Sequence, residues 1–355
     1  MPEPAPVLGA AQIAATARWI ATQQEPDGAL PWFRGGQLDP WDHVEAAMGL
    51  SAAGLLAEAE AAYAWSAGTQ RADGSWPMLL RAGEIQDPAA DTNQCAYIAV
   101  GVWHHYLVTG DSGFLARMWP TVQRALDFVV SAQRGDGSLA WAVNRHGIPD
   151  SYSLLTGSAS AVQALRCGSL IAGERGIQSL RWPAAADRLA HAVRLHPESF
   201  ADRSRYSMDW YYPVLGGVVR GGDALGMLAR RWAEFVWPGR GVRCVSDRPW
   251  VTVAESCELV LALDSLGRHD MARAVLADVQ SMRADSGGYW TGYVVDDDAI
   301  WPEEQTTWTS AAVILAADAL HGAGGGHGLF RSVVSAPDAG DDDCGCLEDE
   351  LETVG

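Results

Sequence analysis

The chain has 355 residues and a formal net charge of −19, from 44 acidic and 25 basic side chains. None of the basic residues is a lysine, which excludes catalysis through a Schiff-base lysine or a phosphate-loop lysine. The acidic balance also argues against nucleic acid and anionic membranes as partners, because both need a cationic protein face.

The ends and the cysteines indicate a cytoplasmic protein. The N-terminus has no basic residue ahead of an apolar run, so we predict no secretory signal. No stretch of about 18 uncharged apolar residues could span a membrane, so we predict no membrane insertion. The six cysteines are mostly scattered through the helical pattern, which is typical of reduced thiols. Cys344 and Cys346 have no partner pair that would complete a metal site.

Apolar periodicity predicts twelve helices of two alternating kinds. They cover residues 9–24, 41–56, 58–71, 91–108, 112–133, 157–173, 175–195, 206–219, 223–236, 251–266, 268–283 and 305–321. Those that open at 41, 91, 157, 206, 251 and 305 are rich in small residues, which allow close approach in a crowded inner ring. The others carry more charge and are expected outside. The predicted fold is therefore all-α, a closed (α/α)6 toroid.

A short sequence motif follows several of the outer helices: a glutamine, a gap, Asp-Gly and then an aromatic residue. It occurs as Gln24…Asp27-Gly28…Trp32, as Gln70…Asp73-Gly74-Ser75-Trp76, as Gln133…Asp136-Gly137…Trp141 and, more loosely, as Gln280…Asp285…Gly288-Tyr289-Trp290. Asp-Gly supplies a turn, since glycine accepts a positive φ. Copies about fifty residues apart indicate helical hairpins stacked side by side.

The last part of the chain is expected to lie outside the toroid. We assign residues 1–323 to the toroid and 324–355 to a flexible tail, with the glycines of 324–326 as its hinge. From Ala336 onward the tail carries many acidic residues, no arginine and few apolar residues. Such a segment cannot offset the entropy of ordering, so we expect it to be disordered.

Acidic residues stand near the predicted starts of all the inner helices. They are Asp42, Asp91, Asp150, Asp209, Glu255, Glu303 and Glu304. Aromatic residues accompany them, notably Trp41, Trp210, Tyr211, Trp301 and Trp308. Each single acid could be an ordinary N-cap. Capping needs no neighbouring tryptophan, however, whereas aromatic faces with convergent carboxylates describe a ligand site.

Two carboxyl groups on opposite sides of a sugar ring can hydrolyse a glycosidic bond. One stays protonated and donates to the leaving oxygen, and the other activates water. The apolar surroundings of Asp150 suit the acid, and the adjacent Glu303 and Glu304 suit water activation. We therefore predict Asp150, Glu303 and Glu304 as catalytic residues, with no metal and no cofactor.

Several segments resemble, in the same order, those of glucoamylase-type glycoside hydrolases in the six-hairpin glycosidase superfamily. Trp41-Asp42-His43 and Asp91-Thr-Asn-Gln resemble two substrate-binding segments. Gly147-Ile-Pro-Asp150 falls where the family has its acid glutamate, and Pro302-Glu-Glu304-Gln…Trp308 resembles the segment with the base.

The resemblance implies inverting hydrolysis of an α-linked glucan or related oligosaccharide, with Asp150 as acid and Glu304 as base. Asp42, Asp91 and Asp209 would hold hydroxyls, and Trp41, Trp210 and Trp301 would stack on sugar rings. One departure concerns the acid, because aspartate is one methylene shorter than glutamate and a shift of about 1 Å can cost a hundredfold in rate.

Two alternatives remain open. The glutamine–Asp-Gly–aromatic motif also resembles the repeats of terpene cyclases and the toroid of protein prenyltransferases. Glu255-Ser-Cys257 imitates half of the prenyltransferase zinc site, but no histidine follows inside the final inner helix. The third possibility is a glycan-binding protein without catalysis. The sequence does not indicate which sugar is bound or how many subunits assemble.

Overall fold

The computed structural model describes residues 6–178, 181–322 and 324–332. Its helices are α1 Ala10–Gln23, α2 Pro40–Ala52, α3 Leu56–Thr69, α4 Thr92–Ala96, α5 Ile98–Thr109, α6 Ser112–Ser131, α7 Leu155–Glu174, α8 Arg181–Leu195, α9 Ser207–Leu215, α10 Gly221–Phe235, α11 Val253–Ser265, α12 His269–Asp278, α13 Thr307–His321 and α14 Leu329–Ser332. Apart from the short α14 and the division between α4 and α5, these are the predicted helices, with ends that differ by a few residues.

The helices form two concentric rings. The inner ring runs α2, α4–α5, α7, α9, α11 and α13, and each member packs on the next until α13 returns to α2. Inner helices such as α2 and α11 are buried on nearly every side, whereas outer helices such as α6 and α10 bury one face. This arrangement confirms the (α/α)6 toroid.

Small residues permit the close packing of the inner ring, as the sequence predicted. A Cβ atom added to Gly49 on α2 would lie 2.6 Å from the Cβ of Ala311 on α13. A Cβ added at Gly216, just after α9, would lie 2.3 Å from the carbonyl oxygen of Ala159 on α7. Both distances are far below van der Waals contact, so glycine is required at these crossings.

Each of the four repeated turns fastens the outer helix that it follows to the next outer helix. The Gln70 side-chain amide after α3 donates to Gly74 O within its own turn and to Thr121 O on α6, both at 2.9 Å. The copies at Gln24 and Gln133 reach α3 and α8 in the same way. At the fourth copy, Thr16 Oγ1 on α1 donates to Gly287 O at 2.8 Å. The turns therefore close the outer ring across residues that are 271 positions apart in the chain.

Short antiparallel strands, which the sequence analysis did not predict, surround one end of the toroid. The strands are β1 Gln37–Leu38, β2 Leu79–Arg81, β3 Glu84–Asp87, β4 Ala90–Asp91, β5 Ala142–Val143, β6 Val236–Trp237, β7 Gly241–Arg243, β8 Trp250–Thr252, β9 Gly292–Val294 and β10 Ala299–Ile300. They pair in the orders β1-β2-β3, β4-β5 and β10-β9-β8-β7-β6. Strands of two to four residues are too short for an alternating pattern to identify them.

Residues 324–332, which were expected to begin the tail, pack on the toroid. A Cβ added to Gly325 would lie 2.1 Å from Leu107 O on α5, and Leu329 on α14 is fully buried. The Arg331 guanidinium forms two hydrogen bonds of 2.6 Å with the Asp264 carboxylate. The predicted disordered acidic segment, with Cys344 and Cys346, lies outside the described residues. Within the described ranges, no helix combines the length and apolar character needed to cross a bilayer.

Candidate active site

The inner helices begin at one common end of the toroid, which we call the mouth. Backbone hydrogen bonds tie their starts to neighbouring loops and strands. These hydrogen bonds, of 2.8–3.1 Å, run from Thr92 N to Trp141 O, from Ser207 N to Cys244 O, from Val253 N to Thr291 O and from Thr307 N to Trp32 O. The acids at these starts consequently gather in one place, and Asp42, Asp91 and Glu255 are each 8 % exposed there.

Asp39 and Asp42 form a hydrogen-bonded pair of carboxyl groups at the start of α2. Asp39 caps the helix by accepting from Trp41 N at 3.1 Å and Asp42 N at 2.9 Å, and its second oxygen accepts from Trp32 Nε1 at 3.1 Å. The Asp42 carboxyl is hydrogen-bonded to that of Asp39. Burial, and then the charge of Asp39, raise the pKa of Asp42 well above its usual range. Both effects favour the protonated form of Asp42.

Asp91, which is buried, and Asp209, which is half-buried, are further acids at the starts of inner helices. Asp91 caps α4 through Gln94 N at 3.0 Å, and burial raises its pKa to about 6. Asp209 accepts a hydrogen bond of 2.6 Å from Thr156 Oγ1, and burial raises its pKa as well. Both can accept or donate hydrogen bonds to the hydroxyls of a ligand.

Glu255 occupies the first turn of α11, next to the thiol of Cys244. Burial raises the pKa of Cys244, so its thiol stays protonated and is hydrogen-bonded to the Glu255 carboxylate. Asp42 on α2 and Glu255 on α11 lie on the two inner helices that flank α13. The carboxyl groups of Asp42 and Glu255 thus lie at the same end of neighbouring parts of the inner ring.

A second pair of acids lies one helical turn deeper, at Glu45 on α2 and Glu258 on α11. Tyr97 Oη donates to Glu45 Oε2 at 2.7 Å, while Glu258 accepts from Tyr211 and, at 2.5 Å, from Tyr212. Burial raises the pKa of Glu45 to about 7 and that of Glu258 to about 8. We call Glu45 and Glu258 the lower carboxyls.

The lower carboxyls were not predicted from the sequence, although their spacing was a usable signal. Glu45 follows Asp42 by three residues, and Glu258 follows Glu255 by three. Residues at this spacing share one face of a helix. Two inner helices therefore point two acids each in the same direction.

Three of the predicted aromatic residues remain suited to ligand contact. Trp41 stacks on Tyr97 with ring centroids 4.5 Å apart, and its Nε1 has no protein partner among the described residues. Trp308 also has an unpartnered Nε1 and lies 6.2 Å from the Trp32 ring. Trp301 is 56 % exposed at the edge of the mouth and meets Trp250 edge-on.

Trp210 and Tyr211 were predicted to contact substrate, and the structure places them elsewhere. The Trp210 indole packs away from the mouth, stacked on Phe235 of α10 at 5.1 Å, with its Nε1 donating to Met227 O. Tyr211 is fully buried and reaches Glu258 below the mouth. Apolar periodicity could not tell which way an aromatic residue on an inner helix points.

The predicted acid and base stand in loops ahead of α7 and α13, which occupy opposite positions in the inner ring. Asp150 N donates to Ala142 O at 2.8 Å, and Asp150 O accepts from Arg134. Glu304 O accepts from Thr291 N at 3.1 Å, and Glu303 is exposed. The structure thus fixes the backbone at both sites, and the catalytic roles of these acids stay predictions.

The half of a zinc motif at Glu255-Ser-Cys257 is not completed in the described ranges. No three His, Cys, Asp or Glu side chains there are arranged to hold a metal ion. Cys257 is instead fully buried on α11. It acts as a small apolar residue of the inner ring.

Comparisons with known proteins point to carbohydrate hydrolysis. No protein-family model matches the chain. The MMP endo-(1,4)-3-O-methyl-alpha-D-mannosidase of Mycolicibacterium hassiacum is 51% identical over 345 residues, which cover 97% of this chain and 96% of that protein.

Solved structures share the fold at low identity. A glycosidase in complex with glucose superposes with a TM-score of 0.69 at 17% identity, covering 88% of this chain and 98% of its own. A GH63 mannosylglycerate hydrolase from Thermus thermophilus gives 0.64 at 13% identity, covering 85% and 99%. A D-mannose isomerase gives 0.65 at 11% identity, covering 86% and 96%. These structures support the toroid fold. The family is shown by the 51% identity to the mannosidase.

Proposed function

The chain is a glycoside hydrolase of the six-hairpin type that belongs to the family of the Mycolicibacterium hassiacum mannosidase, and we propose that it cleaves internal 1,4-linkages of 3-O-methyl-α-D-mannosides. The single observation behind this substrate is the 51% identity over nearly the whole of both chains. A mannoside replaces the α-glucan that the glucoamylase resemblance implied. The relatives lend no support to the isoprenoid alternative.

Asp42 is the general acid of the proposed reaction. Its proton is held by burial and by the neighbouring Asp39, in a position that solvent still reaches. In the transition state this proton passes to the glycosidic oxygen as the bond to the anomeric carbon breaks. Asp39 is less suited to the role, because both of its oxygens accept hydrogen bonds from the protein.

Glu255 is the general base in the same proposal. Its carboxylate takes a proton from a water molecule, and the water oxygen bonds to the anomeric carbon on the face opposite the leaving group. Inversion of the anomeric centre follows from a single displacement of this kind. Asp91 and Asp209 supply hydrogen bonds to sugar hydroxyls at the same end of the helices.

Aromatic residues at the mouth suit a methylated sugar. A 3-O-methyl group adds an apolar contact to a ring that otherwise presents hydroxyls. Indole faces such as those of Trp41 and Trp301 can cover methyl groups and C–H bonds, while the unpartnered Nε1 of Trp41 can donate to an oxygen.

Substrate specificity is tested by incubating the protein with a 1,4-linked 3-O-methyl-α-mannose oligosaccharide and, separately, with a maltooligosaccharide. We expect shorter methylmannose oligosaccharides by mass spectrometry, and a β-anomeric product first by proton NMR. Cleavage of the maltooligosaccharide alone would refute the mannoside proposal. Binding of the methylmannoside without any turnover would favour the glycan-binding alternative.

Four isosteric substitutions separate the candidate catalytic residues. We expect Asp42→Asn and Glu255→Gln to lower kcat by about a hundredfold or more, because each loses proton transfer while keeping its shape. Asp150→Asn and Glu304→Gln should then have smaller effects. The reverse result, with Asp150→Asn and Glu304→Gln inactive, would return the catalytic roles to the pair predicted from the sequence. Thermal unfolding of each variant controls for folding.

A further inference from the structure

The lower carboxyls are buried acids that the proposed mechanism does not use. Glu45 and Glu258 are 2 % and 3 % exposed, so substrate does not reach them. Each lies one helical turn below a catalytic candidate on the same helix. Glu45 interacts electrostatically with Asp42, and Glu258 interacts with Glu255. A pair of this kind couples the charge of the deeper acid to the protonation of the upper one.

The surroundings of Glu45 contain several titratable groups, and the described residues place no arginine among them. Its neighbours are Asp42 on the same helix, Tyr63 on α3, Tyr97 at the junction of α4 and α5, Tyr212 on α9, and Cys257 and Glu258 on α11. Helix α13, which also packs on α2, has only uncharged side chains between residues 307 and 317. A negative charge on Glu45 therefore has no compensating arginine among these neighbours, and it adds to burial and to Asp39 in disfavouring the ionised form of Asp42.

We propose that Glu45 is a positioning residue that keeps the general acid Asp42 protonated. The inference rests on the proposed catalytic role of Asp42. When Glu45 is ionised, a second negative charge on Asp42 becomes unfavourable, and Asp42 retains its proton to a higher pH. The hydrogen bond from Tyr97 favours the ionised form of Glu45, which lets the charge appear near neutral pH.

The stacking of Trp41 on Tyr97 connects the Glu45–Asp42 pair to the mouth. Trp41 precedes Asp42 in the first turn of α2, and its ring lies against the tyrosine that donates to Glu45. Asp42, Glu45 and Tyr97 are thus connected by the Trp41–Tyr97 stacking and by the hydrogen bond from Tyr97 to Glu45. A substitution at Tyr97 should therefore change the pH at which Asp42 loses its proton, without removing any carboxyl group.

The test is the pH dependence of kcat/KM on the methylmannoside oligosaccharide. Loss of the Asp42 proton sets the alkaline limb of the profile. In Glu45→Gln this limb should move to lower pH by on the order of one unit, while activity below the limb is retained. Tyr97→Phe should move it in the same direction by less, because Glu45 then ionises at higher pH. Glu174→Gln, an exposed acid at the far end of α7, is the matched control and should leave the limb in place.

Two outcomes distinguish this inference from the proposed function. If Asp42→Asn is inactive but neither Glu45→Gln nor Tyr97→Phe moves the limb, Glu45 has no such role and the catalytic assignment stands. If Asp42→Asn retains activity, the acid assignment itself fails. Infrared titration of the protonated carboxyl band gives a readout that does not depend on turnover. The component lost in Asp42→Asn should titrate at lower pH in Glu45→Gln, and an unchanged midpoint would overturn the inference even if one variant folds poorly.

Discussion

Buried carboxyl groups in this protein differ in what donates to them. Asp264, whose side chain is 1% exposed, accepts both hydrogen bonds of a bidentate arginine, Arg331. Among the described residues, the donors to Glu258 are two phenols, and burial raises its pKa to about 8. The arginine compensates the charge of the first carboxyl group, whereas the phenols donate hydrogen bonds to the second but bring no positive charge. The first arrangement is structural, and the second suits a residue whose charge changes.

The ion pair between Asp264 and Arg331 should contribute strongly to stability. Arg331→Ala removes both short hydrogen bonds to a buried carboxylate and leaves only His269 Nε2, at 3.6 Å from Asp264 Oδ1, beside it among the described residues, so we expect a cost of about 3 kcal/mol. The matched control is Arg205→Ala, because Arg205 pairs with Asp247 and the two side chains are 49% and 57% exposed. That change should cost less than about 1 kcal/mol. Denaturant unfolding of both variants measures the difference, and equal costs would contradict the structural role of the segment 324–332.

The Asp-Gly turns stabilise the toroid by fitting closely against the next outer helix. Gly74 has φ +94°, and a Cβ added there would lie 2.2 Å from Arg124 O on α6. Gly83, at the tip of the β2–β3 hairpin, has φ +77° but nothing within 4 Å of such an atom. Comparing substitutions at the two glycines therefore separates the cost of backbone strain, which both share, from the cost of packing, which only Gly74 has.

Alanine substitution at these two positions should have unequal costs. Gly83→Ala pays only for the left-handed backbone, about 1–2 kcal/mol. Gly74→Ala adds a clash with backbone that cannot move freely, for a total of about 3 kcal/mol or more. The free energy of unfolding in urea is the measurement. If Gly74→Ala were no worse than Gly83→Ala, the turn would not be held against α6 as described.

Helices could be predicted from the sequence because their apolar period persists over many residues. The small residues also identified which helices form the inner ring, where the structure places Gly49 and Gly216 close against neighbouring helices. The strands at the mouth could not be predicted, because a pairing such as β4 with β5 involves two residues on each side. Their geometry comes from tertiary contacts and not from a local pattern.

The candidate site could be predicted only as a collection of acids. Helix starts located Asp42 and Glu255, which are equally buried, but their neighbours differ, with Asp39 beside Asp42 and the Cys244 thiol beside Glu255. Trp210 was misplaced because its neighbour on α10, Phe235, is distant in sequence. The raised pKa of Asp42 depends on Asp39 and on the closed ring around both residues. No single segment of sequence contains that information.

The whole molecule should become more stable as the pH falls from about 8 to 5. Glu45 and Glu258 have pKa values of about 7 and about 8 in the folded protein, against 4.5 for an ordinary glutamate. At a pH between the unfolded and the folded pKa, the folded state binds a proton that the unfolded state has released. Raising the pH through this interval therefore favours unfolding. The full shifts correspond to about 3 kcal/mol for Glu45 and about 5 kcal/mol for Glu258.

The double variant Glu45→Gln/Glu258→Gln should flatten this dependence. Melting temperatures measured between pH 5 and 8 give the slope for the wild type and the variant. The exposed Glu84→Gln on β3 serves as the control and should keep the wild-type slope, which includes repulsion among the many surface acids. A double variant with the unaltered slope would show that other groups govern the pH dependence.

Because the hydrogen bond from Thr16 to Gly287 joins the first outer helix to the last turn, the array has no loose terminal repeat. Open arrays of helical hairpins can fray from their ends one unit at a time. Here any hairpin that detaches must break contacts on both of its flanks, so partial opening is nearly as costly as complete unfolding. A protease that needs an extended segment would gain access mainly through rare global opening, and the lifetime of the protein under digestion would follow its overall stability.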